Sequence, residues 1–352
     1  MSGNAADISA EYSSLLGRKT AAGAMLLAVV VILALIALSL GSYPLSISEI
    51  LAALAGRADE ATAHVIGNIR LPRVTAAILA GAALGVSGAV MQNVIRNPLA
   101  SPFTLGVSQG AAFGAAFAIV LIGAGATKGV VTTVQTGLVA LSAFAGALVT
   151  VLVIILLSSL RRLTPASLIL AGVALSAFFG AATMFLQYFS TDSQLAATVF
   201  WTFGDLGRAA WKDILLMAAV LAPGLAFFIR HSWDYNALEW GDEAARGLGV
   251  SVGNLRLMSL VMAAFMAAVT VACLGIIGFV GLVAPHVMRF FVGDDHRFLI
   301  PCSALCGSSL LLVADIASRV ILAPVIVPVG IVTTFAGAPI LLYLLMKGRK
   351  VL

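Results

Sequence analysis

Two arginines three positions apart, Arg70 and Arg73, open an apolar run in the stretch "IRLPRVTAAILAG" (69–81). A guanidinium is a planar fork that grips a carboxylate with two hydrogen bonds, so on an exposed face the pair would suit an acidic partner. The plainer reading is snorkelling, in which long side chains reach lipid phosphates from a helix end. Other reactive chemistry is scarce. His64, His231, His286 and His296 fall in different loops or at the ends of apolar runs, and no Ser/His/Asp or metal-ligand set gathers around them. Cys302 and Cys306 share a helical face, yet no His or carboxylate joins them, so with Cys273 they read as packing residues. The pattern G-x-x-x-x-G-K-[ST] does not occur, and "GRKT" at 17–20 lacks both its spacing and a preceding strand. The chain is expected to be no enzyme, and to bind neither a metal nor ATP.

The elements that hold these residues are membrane helices. Of 352 residues 61% are hydrophobic and only 10% charged, and the mean hydropathy of +1.09 lies far above that of soluble domains. Apolar runs of about 20 residues cross a hydrocarbon core as helices, whereas a barrel would alternate polar and apolar positions. Ten spans are predicted, near 23–40, 74–92, 103–122, 136–157, 166–188, 213–229, 255–273, 276–291, 298–318 and 328–346. They form one domain, 23–350, behind an N-terminal tail, 1–22. Asp7 and Glu11 are wrong for a signal peptide, so the first span is expected to stay uncleaved. Gly81 with Gly85, and Gly106, Gly110 and Gly114, make small-xxx-small stripes for close helix packing. Residues 190–211 are too polar to cross and predict a short interfacial helix with Trp201 and Trp211 at headgroup depth.

Charge sets the expected topology. With the N-terminus inside, thirteen of the twenty Lys and Arg residues fall in inside loops, which places both termini in the cytoplasm of a cell whose inner membrane holds the chain. The pI near 9.4 then reflects loops facing anionic lipid, with no nucleic acid implied. The same assignment puts Arg70, Arg73 and Arg319 together on the outer face. Among the carboxylates only Asp315 lies well inside an apolar run. Ion-coupled carriers need intramembrane carboxylates, so energy for transport is expected from elsewhere. The longest inside loop, Tyr235 to Arg256, is the place to look. It predicts a short helix over 237–248, with Glu239, Asp242, Glu243 and Arg246 on exposed faces and Leu238, Ala245 and Leu248 as an apolar strip. Such a helix is either a lever for a partner or an ordinary interfacial helix.

Several collinear stretches decide between them. The A-R-G-L-G core at 245–249 resembles the coupling loop of the permease subunits of type II ATP-binding-cassette importers, the FecCD family. So do "RLPR" at 70–73, "GAALGVSGAVMQNVIRNPLASPFTLGVSQGA" at 81–111, "LAGVAL" at 170–175, "GFVGLVAPHVMR" at 278–289, "DHRFLIP" at 295–301, "ADIASR" at 314–319 and "PVGIVTTFAGAPILLYLL" at 328–345. The resemblance covers about residues 25–350. It implies an all-α membrane fold of ten helices, paired with itself or with a related permease around a central path, two ATPase subunits beneath carrying ATP and Mg, and a soluble binding protein outside. It further implies that Glu243, Ala245, Arg246, Gly247, Leu248 and Gly249 meet the ATPase, flanked by His286 and Arg289, and that Arg70, Arg73 and Arg319 meet acidic residues of the binding protein. A cytoplasmic gate is implied at Thr164, Pro165, Ala166 and Ser167, although Pro165 and Ala166 depart from the small-hydroxyl pattern of the family. Met91, Gln92 and Asn97 are expected to line or brace the path. The implied cargo is a metal chelate, first a ferric siderophore, with haem, cobalamin or molybdate as alternatives.

Overall fold

The computed structural model describes residues 5–41, 45–124, 133–161 and 165–348. Its helices are α1 (Ala5–Ser39), α2 (Ile47–Leu54), α3 (Glu60–His64), α4 (Leu71–Val94), α5 (Val107–Val120), α6 (Thr133–Arg161), α7 (Pro165–Tyr188) and α8 (Asp192–Thr202). There follow α9 (Trp211–Arg230), α10 (Ser232–Glu239), α11 (Asp242–Gly247), α12 (Val252–Leu274), α13 (Val280–Val292), α14 (His296–Val320) and α15 (Val329–Gly348). Each of the ten expected spans falls on one of these. Among the described residues seven helical stretches are long and apolar enough to cross a membrane, and α5, α13 and α15 are shorter apolar helices.

Two of the short ones have a clear cause. The expected span 103–122 loses its first residues to a 3₁₀ turn, Pro102–Leu105, capped by Ser101, and α5 begins only after Gly106 at φ +83°. The expected span 276–291 starts late because Gly275 (φ +80°) and Phe279 (φ +67°) hold the backbone outside the helical region. At the other extreme α1 begins at Ala5, so much of the expected N-terminal tail is helical.

A helix apolar on every face belongs in the middle of a bundle, and α4 takes that place: every residue from Ala80 to Val94 is buried. Its glycines allow backbone to touch backbone. A Cβ on Gly81 would lie 2.4 Å from the Gly307 carbonyl oxygen, and one on Gly85 would lie 2.2 Å from that of Ser303, so α14 packs on α4 at a distance no larger residue permits. Ser308 Oγ donates to Ile78 O across the same seam at 2.8 Å.

Pro72 lies in the first turn of α4, yet no break precedes it. The helical path is continuous from Glu60 to Val94. Pro72 has no N–H to donate, and just before it the ladder widens into a π turn, Val65–Arg70, closed by Leu71 N to Ile66 O. At residues 190–211 the expected short helix is α8, capped by Thr191 and Gln194. Trp211 is half exposed, but Trp201 is buried at 8% exposure and does not reach the interface.

Candidate functional site

Polar side chains gather at the two ends of the α4–α14 pair. At one end lies the loop between α9 and α12. The single helix expected over 237–248 is two helices, broken at Gly241, whose φ of +113° ends α10 before α11 begins. Leu238 and Ala245 are buried as expected, whereas Leu248 is 72% exposed and leaves the apolar strip.

Asp242 is not on an exposed face. It meets three arginines: Arg96 Nη2 at 2.6 Å, Arg256 Nη2 at 3.1 Å and, more loosely, Arg246 Nη2 at 3.8 Å. Burial raises its proton affinity, but the hydrogen bond and charge of Arg256, with the charges of Arg96 and Arg246, outweigh this and hold its carboxyl below the usual range. Two of those arginines also tie the loop to the end of α4. Arg256 Nε donates to Val94 O at 2.7 Å, and Arg96 Nη2 donates to Leu238 O at 3.0 Å.

Arg96 can do so because α4 ends in a Schellman motif. Asn97 N reaches Gln92 O and Arg96 N reaches Asn93 O, with Arg96 at φ +51° in the left-handed position where glycine is usual. A strained non-glycine residue there points to a side chain with work to do.

Around this hub the outward face of α11 and its following turn presents Glu243, Arg246, Gly247, Leu248 and Gly249 to solvent, with Ala245 buried beneath them. Gly249 takes φ +86° to turn the chain toward α12. Beyond α10, Asn236 reaches the start of α14: its Nδ2 donates to Asp295 Oδ1 at 3.1 Å, and its Oδ1 accepts from His296 N at 2.8 Å. Glu239 lies nearby; burial first, then the charges of Asp294 and Asp295, push its carboxyl up to about 7 against the opposing pull of Arg289 and Asn93.

Of His286 and Arg289, expected to flank the coupling face, Arg289 turns inward and His286 stays half-buried. The His286 ring packs edge-on against Phe290. Arg289 donates to Gln92 Oε1 and, through Nε, to Asp294 Oδ1 at 2.9 Å, fastening α13 to α4. Gln92 and fully buried Met91 thus lie inside the bundle, while Asn97 Oδ1 accepts from Leu99 N within its own turn.

The opposite end holds Arg70, Arg73 and Arg319, brought together as expected but with their forks turned inward. Asp315, fully buried, receives Arg73 Nε at 2.7 Å and Arg319 Nη2 at 2.8 Å. Arg319 Nη1 also donates to Ala37 O and Leu40 O, and Arg70 Nη1 to Leu38 O and Ser39 O, so the two arginines cap the last carbonyls of α1. Side-chain exposure is 12% for Arg73 and 9% for Arg319. The forks are therefore turned from the surface: Arg70 and Arg319 donate to the end of α1, Arg73 donates to Asp315, and Arg319 supplies that buried carboxylate with a counter-charge.

The FecCD transport family matches residues 27–347. The chain belongs to that family. A protein of Methanocaldococcus jannaschii named as an ABC transporter permease is 51% identical over 346 residues, covering 98% of this chain and 99% of its own. The hemin transport system permease HmuU of Yersinia pestis is 38% identical, covering 92% and 95%. The vitamin B12 import permease BtuC of Escherichia coli is 41% identical, covering 81% and 84%. A solved structure described as an inward-facing metal-chelate type ABC transporter superposes with a TM-score of 0.81 at 32% identity, covering 92% of this chain and 98% of that one.

In this FecCD permease the expected gate stands at the start of α7. Thr164 and the Pro165 side chain lie outside the described residues; Ala166 is exposed and Ser167 half-buried. Sequence reasoning missed Asn93, Arg96, Asn236 and Arg256, and misplaced Asp242. The one local sign was Asp242 at the start of a helix with Arg246 four residues on. Nothing in the sequence joins Arg96 to Asp242 across 146 positions.

Proposed function

We propose that this FecCD permease is the membrane-spanning subunit of an ATP-driven importer that receives a metal chelate, first a ferric siderophore, from a binding protein outside the inner membrane. Two separate ATPase subunits dock on the α10–α11 end, which faces the cytoplasm with both termini, and the permease works paired with itself or with a related chain. The observation that carries this reading is the coupling face: Leu248 stands 72% exposed just after a short helix that also exposes Glu243 and Arg246 and whose first residue, Asp242, is fastened by Arg96 and Arg256. A rigid, partly apolar outward face suits a partner that pushes on it. The haem and vitamin B12 permeases among its relatives support a chelate-sized cargo, and haem, cobalamin or molybdate would use the same scaffold.

The outer arginines fit binding-protein docking through their field. Arg73 and Arg319 share Asp315 with Arg70 close by, and this excess of positive charge would steer an acidic partner and raise its on-rate even where the forks are spent inside. An ion-coupled carrier working alone is the poorer reading, because Asp315, the carboxylate deepest in an apolar run, is committed to Arg73 and Arg319. The test is reconstitution in liposomes with the ATPase and binding protein encoded beside it. ATP hydrolysis stimulated by the binding protein is expected, with thermal shifts of that protein on ferric siderophores, haem and cobalamin naming the cargo. Chelate uptake by the permease alone would overturn the proposal.

A further inference from the structure

Side-chain hydrogen bonds tie α10 to α12 at Tyr235–Ser259 and to α4 at Asn93–Tyr235, and two charged clusters add to them. One is Asp242, through Arg96 and Arg256 to the end of α4. The other is Asn236, through Asp295 and His296 to the start of α14. The geometry fixes how the second attachment is built. Asp295 Oδ1 only accepts, so the Asn236 amide must turn its Nδ2 toward it, leaving Oδ1 for His296. Both His296 N and His296 Nδ1, at 2.8 and 3.1 Å, then face this one acceptor, so the ring proton sits on Nδ1. Nε2 is buried and has no hydrogen-bond partner among the described residues, which keeps the ring in that tautomer. Asp295 is itself anchored by Arg297 Nη2 at 2.7 Å and Lys19 Nζ at 3.5 Å.

Tied only to α4 and α12, a short element can pivot against α14; tied to α14 as well, it carries its rotation into both members of the α4–α14 pair. The two helices reached are those that cannot slide past each other, since the α4 and α14 backbones touch at Gly81 and Gly307. Both run on to the opposite end, where Arg73 of α4 and Arg319 of α14 close on Asp315. We propose that Asn236 is a positioning residue that welds the coupling face to α14, so that movement of that face reaches the Arg73–Asp315–Arg319 cluster as a rigid-body shift of the α4–α14 pair. The inference rests on the import reading above and adds the route between its two docking ends.

The experiment uses the complete assembly of permease, ATPase and cargo-free binding protein in liposomes, and reads the ratio of ATP hydrolysis with and without the binding protein. Asn236→Leu keeps the volume and removes both hydrogen bonds, while Asp242 still holds the docking face. The stimulation ratio is expected to fall at least about three-fold in assembled complexes. Asn236→Asp sets two carboxylates together and is expected to lower the ratio likewise. Adding Asp295→Asn exchanges donor and acceptor and is expected to restore part of it, a rescue that general loss of stability would not produce. An unchanged ratio in assembled Asn236→Leu complexes overturns the weld. Should Asn236→Leu not assemble, a double variant no better than Asn236→Asp overturns it instead. A wild-type assembly with no stimulation sinks the import reading, and the weld with it.

Discussion

Replacing Asp242 by alanine removes the carboxylate on which Arg96, Arg246 and Arg256 converge. The contributions are unequal. Arg256 is 19% exposed and reaches both carboxylate oxygens, at 3.1 and 3.4 Å, so a charge-assisted pair of about 1.5–2 kcal/mol is reasonable. Arg96, 41% exposed, contributes about 0.5–1 kcal/mol despite its 2.6 Å contact. Arg246, 62% exposed at 3.8 Å, contributes about nothing. The local loss is therefore about 2–3 kcal/mol, an increase of roughly 30- to 150-fold in opening of the coupling face. Amide hydrogen exchange reads this directly, because Ala245 N, Leu248 N and Val250 N close the bonds that form α11 and its turn. Faster exchange is expected over 242–250 with the middle of α4 unchanged, together with weaker capture of the ATPase. The Asp242→Ala, Arg256→Ala cycle should show a larger coupling than the cycle with Arg96→Ala. Exchange within about three-fold of wild type would refute the claim that these arginines set the rigidity of the face.

Two further outcomes follow from the same reasoning. Asp315→Asn leaves Arg73 and Arg319 buried without a counter-charge, and thermal unfolding in detergent should register a loss of about 3–5 kcal/mol; a loss below about 1 kcal/mol would mean that water, and not Asp315, neutralises the cluster. Glu239 is held at about 7, above its ordinary 4.5, mainly by burial and by Asp294, so the folded chain binds its proton more tightly than the unfolded one. The α10 junction should thus be firmest at or below the ordinary value and loosen as pH rises through 7, seen as falling exchange protection of α10 between pH 5 and 8; Glu239→Gln should flatten that profile, and a profile unaltered by the substitution would count against it.

Much of the architecture was legible because a membrane leaves little choice. Hydropathy placed every helix that became a span, and the glycines at 81 and 85 announced the close seam that α14 fills. The A-R-G-L-G core singled out the stretch proposed for coupling, and of that core Arg246 to Gly249 are exposed while Ala245 is buried. The failures share one origin. Asp242 was placed on an exposed face, while it turns toward Arg96, 146 positions away; Arg289, expected beside the coupling loop, ties to Gln92 across 197 positions.

The arginines of "RLPR" show the division most plainly. Their presence at a helix end, their common side with Arg319 and the lone carboxylate four residues before it were all readable from residue types and spacing. Where the forks point was not. That direction depends on α1 ending beside Arg70 and Arg319 with carbonyls unsatisfied, and on Asp315 sitting at zero exposure between α4 and α14. Periodicity and hydropathy report what each residue prefers as surroundings, and in lipid those preferences settle the helices. Hydrogen-bond partners 240 positions apart are set by which helices pack together, and that only the tertiary structure decides.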